Sequence, residues 1–493
     1  MPDAVSQTSI RRPLVMAAVM AAMFMISIEA TIVSTAMPQI AAQLGDLRLY
    51  AWVFSSFLLA QTATTIVFGK LSDIFGRKPV VLVGIAIFLA GSVLCGLATS
   101  MPLLIGYRLL QGAGAGAVQP IALTVVGDLY PANERGRVQG YLSSVWGISS
   151  VLGPLAGGLI TQRFNWAWVF WINVPLGIAA AFLFGTYLKE NVVRTKRRID
   201  VLGAVLFTTG IAGLMTALTE IGTSSTNVAI ALAVFAVAAV LFVLQERRVE
   251  DPMLAFDLWS RRPIASANAA SMLSGMALIG LSAFLPMYVQ GVLGRTALVA
   301  GFTLTAMSFG WPVGALIAAR RLLPTIGLRS TMLAGGVLLP MGACAMLFLA
   351  PGQSPLVAGA GSLVMGLGMG LLSTAAIVLI QSSVGWEERG SATASNVFAR
   401  NLGSTFGATV LGGVLNVSLA DNAGGAISYA QIRTLLEHPG ETLANPAIQA
   451  ALGHALHLCF WAMFAITLAA LAAATLVPRT KLTQPAADVQ LVE

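Results

Sequence analysis

A chain of 493 residues that is 57% hydrophobic and only 10% charged is not an ordinary soluble enzyme, since such domains carry about 25% charged residues. Its formal net charge of +8 comes from 28 Lys and Arg against 20 Asp and Glu. The placement of those charges, taken below, accounts for the excess without a nucleic-acid partner. Cys95, Cys344 and Cys459 sit inside apolar segments, so they are expected to be packing residues rather than disulfides or metal ligands. His454 and His457 read as interfacial, and no metal or cofactor site is expected.

In chain order, a polar tail over 1–13 ends in Arg11-Arg12 and leads into an apolar run from Leu14 to Ile40. That run is too long for a signal-peptide core and is followed by no Ala-x-Ala pattern, so a permanent span is expected over 14–38. Further spans of about 20 apolar residues are expected near 50–68, 80–98, 102–128, 137–160 and 167–188. The basic run Lys196-Arg197-Arg198 closes this first six-helix bundle, 14–198. Two additional helices, near 199–221 and 227–245, occupy a linker unit over 199–262. A second six-helix bundle, 263–477, takes spans near 263–290, 298–319, 330–350, 355–381, 393–418 and 452–477. It includes a long outer loop at 419–450, and a tail over 478–493 follows.

Charge placement supports this layout. With the N-terminus in the cytoplasm, only Arg48, Arg163, Arg295 and Arg433 fall outside, Arg108 and Arg400 lie within spans, and every other Lys or Arg is inside. This is the positive-inside bias. The expected fold is therefore all-α and membrane-integral, with fourteen transmembrane helices arranged 6+2+6 and both termini cytoplasmic.

A faint parallel repeat links the two bundles. Gly69-Lys-Leu-Ser-Asp73-Ile-Phe-Gly76-Arg77-Lys78, with Gly84 beyond it, has a degenerate partner in Gly314 to Gly327-Leu-Arg329 and Gly336. Gly147, Gly153, Gly157 and Gly158 are echoed by Gly403, Gly407, Gly412 and Gly413. Parallel halves related by an axis along the membrane normal are a transporter architecture.

Five segments carry a resemblance that covers nearly the whole chain. They are Gly69 to Lys78; Arg108-Leu-Leu-Gln111-Gly112-Ala-Gly114; Gly147 to Gly153-Pro154-Leu-Ala-Gly157-Gly158; Trp166 to Asn173-Val-Pro175-Leu-Gly177; and Glu29-Ala-Thr31 to Met37-Pro38. In this order they resemble the cytoplasmic loop, membrane arginine, antiporter, helix 6 and helix 1 motifs of the major facilitators, and specifically of the fourteen-helix drug:proton antiporters of the EmrB/QacA type. The chain departs from that pattern in carrying Glu29 where aspartate is common, and in lacking a second acid in the core of its C-terminal half.

The resemblance implies multidrug efflux, with antibiotic resistance, in the bacterial cytoplasmic (inner) membrane. It implies a conformational latch at Gly69, Asp73, Gly76, Arg77 and Lys78, and a seal or hinge at Gly147, Gly153, Pro154, Gly157 and Gly158. Close helix packing alone is the plainer reading of those glycines, and topogenic charge accounts for Arg77 and Lys78 but not for Asp73.

Read from the residues, Glu29 is the one acid near the middle of a span, ~13 Å from Pro38 at 1.5 Å per residue. A carboxylate there is costly unless paired or protonated, so it marks a proton or substrate role against a merely structural ion pair. Arg108 lies ~9 Å beyond Pro102, at a similar depth, and is its expected modulator, or else a brace for the bundle. Gln111 shares the face of Arg108. Met25, Glu29, Trp52, Phe57, Gln111, Tyr288, Phe309 and Trp311 are candidate substrate contacts, soft and aromatic surfaces being suited to loose specificity. The stripe Met16, Met20 and Met23 points away from Glu29. Arg400, two turns into its helix, lies too deep to snorkel and either lines the cavity or meets the other half.

No G-x-x-x-x-G-K-[ST] is present, so no ATP hydrolysis by the chain is expected, and the Gly112-Ala-Gly114-Ala-Gly116 run lies inside a span with no strand before it. An enzyme needs a second catalytic group near Glu29, where Arg108 is the lone ionisable companion, so no enzyme is expected. A channel needs a ring of pore charges. What remains is a proton-coupled exporter of small lipophilic or cationic organic compounds, with a lipid or metabolite transporter or flippase of the same fold as the alternative. The expected partners are the small-molecule substrate, protons and the lipid bilayer, with no nucleic acid. The expected working unit is a monomer, and a periplasmic adaptor is left open.

Overall fold

The computed structural model describes residues 12–44, 49–190, 200–220, 225–249, 256–295, 297–422 and 446–479. The basic run Lys196-Arg197-Arg198, most of the 419–450 loop and most of both tails lie outside the described residues. The described chain is helical throughout, because a backbone without water must bond to itself within each segment.

The N-terminal half holds α1 (Arg12–Leu44), α2 (Tyr50–Phe75), α3 (Arg77–Gly96), α4 (Met101–Leu129), α5 (Ala132–Arg163), the short α6 (Trp168–Trp171) and α7 (Asn173–Tyr187). Next come α8 (Val201–Glu220), α9 (Ser225–Glu246) and the short α10 (Phe256–Ser260). The C-terminal half holds α11 (Arg262–Gly291), α12 (Ala297–Ile317), α13 (Leu323–Leu347), α14 (Pro355–Ser382), α15 (Arg389–Asn422) and α16 (Pro446–Thr475). Among the described residues, twelve stretches are long and apolar enough to cross a membrane. One of them, Val299–Leu347, takes in most of α12 and all of α13, while the polar α15 is outside the set.

Each half is organised about one small-residue helix. In the most apolar windows, α4 is 83% buried and α14 78%, against 17% for α9. Gly114 meets the backbone of Phe88 and Gly84, and Gly112 the carbonyl of Phe57, so α2 and α3 approach α4 backbone to backbone. Gly366 and Gly370 bring α12 onto α14 in the same way, against the carbonyls of Met307 and Trp311.

The repeat read from the glycines has a backbone counterpart. Gly76 (φ 95°, ψ 160°) breaks α2 from α3, and Gly327 (φ 78°, ψ 176°) kinks the chain near the start of α13, both in a region that favours glycine. Gly153 packs on Thr31 and Ile32 of α1, as Gly403 and Gly407 pack on Met272 and Met276 of α11. One position of the repeat is corrected. Gly84 faces α4 at Gly114 and Ala117, and its counterpart against α14 is Gly335, at Gly368 and Leu372. Gly336 faces Leu471 and Ala474 of α16 instead, because the repeat runs from Gly76 and Gly327 rather than from the two arginines.

The pair α8–α9 lies over the seam between the halves. Phe207 and Phe242 meet with ring centroids 5.5 Å apart, and Phe207 also meets Phe398 of α15 at 5.7 Å. Ala63 and Ile66 of α2 complete this cluster, so the α8–α9 pair touches one element of each half.

Candidate functional site

Five helices of the N-terminal half converge on Glu29, whose side chain is fully buried. One carboxylate oxygen accepts from Arg108 Nη1 of α4, and the other accepts from Asn173 Nδ2 of α7 at 2.5 Å. Arg108 is held from every side. Its Nε donates to the Val53 carbonyl of α2 (3.1 Å), its Nη1 also donates to Gln111 Oε1 (2.7 Å), and the Phe57 ring lies 4.3 Å from its Cζ. Gln111 Nε2 donates in turn to Ser92 Oγ of α3 (2.8 Å).

A charge taken out of water is tolerable when its hydrogen-bonding capacity is filled, and here each ion neutralises the other. Chemically the cluster has two states. Ionised, Glu29 cancels Arg108; protonated, it leaves that guanidinium in need of another acceptor.

Of the expected site residues, Glu29, Arg108, Gln111 and Phe57 are thus brought together. Asn173, which the sequence offers merely as part of a motif, joins them; an amide inside an otherwise apolar segment is the available signal. Met25 is fully buried, with its sulfur beside Gly177 and so against α7. Met16 and Met23 are buried in the same half's core.

The remaining candidates lie elsewhere. Trp52 Nε1 donates to Glu220 Oε1 of α8 (3.0 Å). Tyr288 is fully buried in the C-terminal half, donating to the Leu349 carbonyl (2.9 Å) and packing on His457 and Phe460. Trp311 packs on that half's core, and Phe309 is 67% exposed, on the side of α12 away from α14. Arg400 is part-buried on α15, its Cγ beside Gly275 of α11.

A second charge cluster joins the halves at the end of the bundle rich in basic residues. Asp73 of α2 accepts from the Gly390 amide (2.9 Å) and from the Ser391 amide and hydroxyl (2.7 Å each), at the first turn of α15. A carboxylate at a helix N-terminus satisfies orphan amides and complements the macrodipole. Arg77 pairs with Asp73 (3.1 Å) and Asp128 (3.0 Å), donates to the Trp386 carbonyl (2.7 Å), and lies 4.0 Å from the Trp386 ring centroid. Arg389 completes the cluster by bonding Asp128 at 2.6 Å.

Gly69 lets α2 close on α15, since a Cβ there collides with Ala394. The amides of Arg77 and Lys78 donate to Glu190 (2.9 and 3.1 Å), which caps α3. Burial pushes the Glu190 carboxyl above its ordinary range, against those amides and the charge of Arg77. Arg389 and Glu190 were not singled out from the sequence, where each reads as an ordinary charge at a helix end.

On α5, Gly147 faces Pro312 and the Ser308 carbonyl of α12 across the halves, while Gly153 faces α1. Gly158 has open space where a side chain would be. Gly157 lies in the same helix, and the side chain of Pro154 lies outside the described residues.

Comparison with known proteins places this geometry. The family model of the Major Facilitator Superfamily matches residues 19–408. Multidrug resistance protein 3 of Bacillus subtilis is 37% identical over 396 residues, covering 79% of this chain and 77% of that protein. Multidrug transporter protein MdtP of Bacillus subtilis is 33% identical over 410 residues, covering 82% and 76%. Among solved structures, the human organic anion transporter MFSD10 superposes with a TM-score of 0.64 at 15% identity, covering 93% of this chain and 99% of that one. The proton:xylose symporter XylE gives a TM-score of 0.63 at 15% identity, covering 96% and 97%. Both show the shared fold.

Proposed function

Because the chain belongs to the major facilitator superfamily, we propose that it is a fourteen-helix, proton-coupled antiporter exporting small lipophilic organic compounds across the bacterial inner membrane. The two Bacillus subtilis relatives named for multidrug resistance and transport support the export reading. The presence of two helices in the Val299–Leu347 stretch, and of the 34-residue polar α15, supports the higher helix count.

The observation that carries the mechanism is the fully buried Glu29–Arg108–Asn173 cluster. In this reading Glu29 takes a proton from the outside and releases it to the cytoplasm, and Arg108 stabilises the ionised form. A buried acid inside a membrane bundle is a functional feature by default, and the hydrogen bonds from Asn173 and Arg108 orient its carboxylate.

Alternating access rocks the two halves about the seam. The Asp73–Arg77–Asp128–Arg389 cluster latches the cytoplasmic side, so the state described is the one shut to the cytoplasm. Opening that side breaks the contacts of Asp73 with α15 and of Asp128 with Arg389, and leaves the Glu29 cluster whole, since all its members belong to one half.

The test is transport by purified protein in liposomes under an imposed proton gradient, with ethidium among a panel of lipophilic fluorescent compounds. Gradient-driven movement in wild type that is lost in Glu29→Gln is the expected result. Coupling that survives the substitution in a folded protein would sink the role of Glu29.

A further inference from the structure

The ionisable groups deep in the bundle are unevenly matched. Arg108 is neutralised by Glu29. Among the described residues, the Arg400 guanidinium has neither an ion pair nor a hydrogen bond, though it lies 11 residues into a 34-residue helix. An arginine at such depth needs a partner.

The next residue repeats the pattern. Asn401 Nδ2 is a buried donor with no acceptor. Leaving such a group unmade is costly, so two adjacent unfilled donors form a place that can take an acceptor.

Packing defines the direction of this strip of α15. Asn396 bonds Asn268 and Ser271 of α11, and Gly403 packs on Met272, so that side is occupied by α11. Phe398 turns to α2 and α8, and Val397 is buried in the core of the opposite half. Arg400 and Asn401 lie on the arc between these contacts, along the seam where the two halves meet.

Depth follows from the antiparallel register of α15 with α2. Gly69 meets Ala394, and Ala63 and Ile66 lie with Phe398. Arg400 is therefore level with about residue 63 of α2, whereas Arg108 bonds the carbonyl of Val53. Ten residues separate the two levels, ~15 Å along the bundle.

We infer that Arg400 and Asn401 form a substrate subsite for an acidic group, a carboxylate or phosphate carried on a lipophilic body. The subsite deepens the export reading and rests on it for movement, not for binding. The uncompensated positive charge rejects a permanently cationic ligand and accepts an anionic or zwitterionic one. Its separation from Glu29 lets ligand capture and proton exchange use different charges. A charge-assisted hydrogen bond to a buried acceptor contributes about 1.5–3 kcal/mol, which is roughly tenfold or more in Kd.

Three probes of one shape test this: 1-pyrenebutyrate, its methyl ester, and the corresponding pyrenebutyl-trimethylammonium. Binding is read by energy transfer from the protein's tryptophans, with the full chain in nanodiscs of phosphatidylcholine. The expected result is that pyrenebutyrate binds about tenfold or more tighter than the other two. Arg400→Gln removes that preference, leaves the ester within about twofold and tightens the cation, and Arg400→Lys retains part of the preference.

Equal binding of the acid and the ester by wild type overturns the subsite. So does an Arg400→Gln variant that weakens all three probes alike. Where Arg400→Gln does not fold, Asn401→Ala decides, by selective loss for pyrenebutyrate or by no selective loss. Arg400-dependent binding of pyrenebutyrate without proton-driven transport of any compound would sink the export reading and leave the subsite standing.

Discussion

The two charge clusters use the same residue types for opposite ends. Around Glu29 the partners come from α1, α2, α4 and α7, all in one half, and both Nε and Nη1 of Arg108 point at fixed acceptors. Around Asp73 the partners come from α2, α3 and α4 on one side, and from Trp386, Arg389, Gly390 and Ser391 on the other. The first cluster can persist through any rigid-body motion of the halves. The second is broken by such a motion, so its bonds must be individually modest. A buried pair within one body is costly to break, whereas a capped helix end contributes amounts that a transition can overcome.

The largest effect should come from breaking the internal cluster on one side. Arg108→Leu leaves a buried carboxylate without its cation and should cost about 3–5 kcal/mol, read as a large fall in the thermal midpoint of the purified protein. Removing both charges, Arg108→Leu with Glu29→Leu, should restore much of that loss. A double variant no more stable than the single one would show that the pair is not the source.

A middle-sized effect should come from the seam. Asp73→Asn removes the carboxylate from the first turn of α15 and should cost about 0.5–2 kcal/mol, drawn from the closed state rather than from the fold. Spin labels at Arg137 and Arg262, on opposite halves, should report a larger population with this end open. An unchanged distance distribution would show that Asp73 is not a latch.

The smallest effect belongs to Arg261 with Glu388, also at the basic end but 40% and 39% exposed. Glu388→Gln should change stability by about 1 kcal/mol or less and leave the label distances as in wild type. A shift as large as that of Asp73→Asn would erase the distinction between the buried latch and the surface pair.

Much of this arrangement is legible along the chain. Glu29 and Arg108 were matched by depth alone, and depth is what the rise of a helix encodes. Phe57 and Gln111 followed, the latter because it is one turn from Arg108 on the same face. Asn173 was not matched, because it lies 144 residues from Glu29 and its helix could present any face to α1. The aromatics failed for the same cause. Tyr288 and Phe309 both lie on largely apolar helices, yet one closes a core and the other is exposed.

What the sequence determined by itself was that the chain is a succession of apolar membrane helices, with the segments that punctuate them. A bilayer forces each apolar stretch to satisfy its own backbone, and that requirement is local. The tertiary structure decided which face of each helix meets its neighbour, and with it that Arg108 is neutralised while Arg400 is not. Helix rotation is set by close packing of glycines against distant backbones, such as Gly112 on Phe57 and Gly275 on Arg400, and no residue carries that information alone.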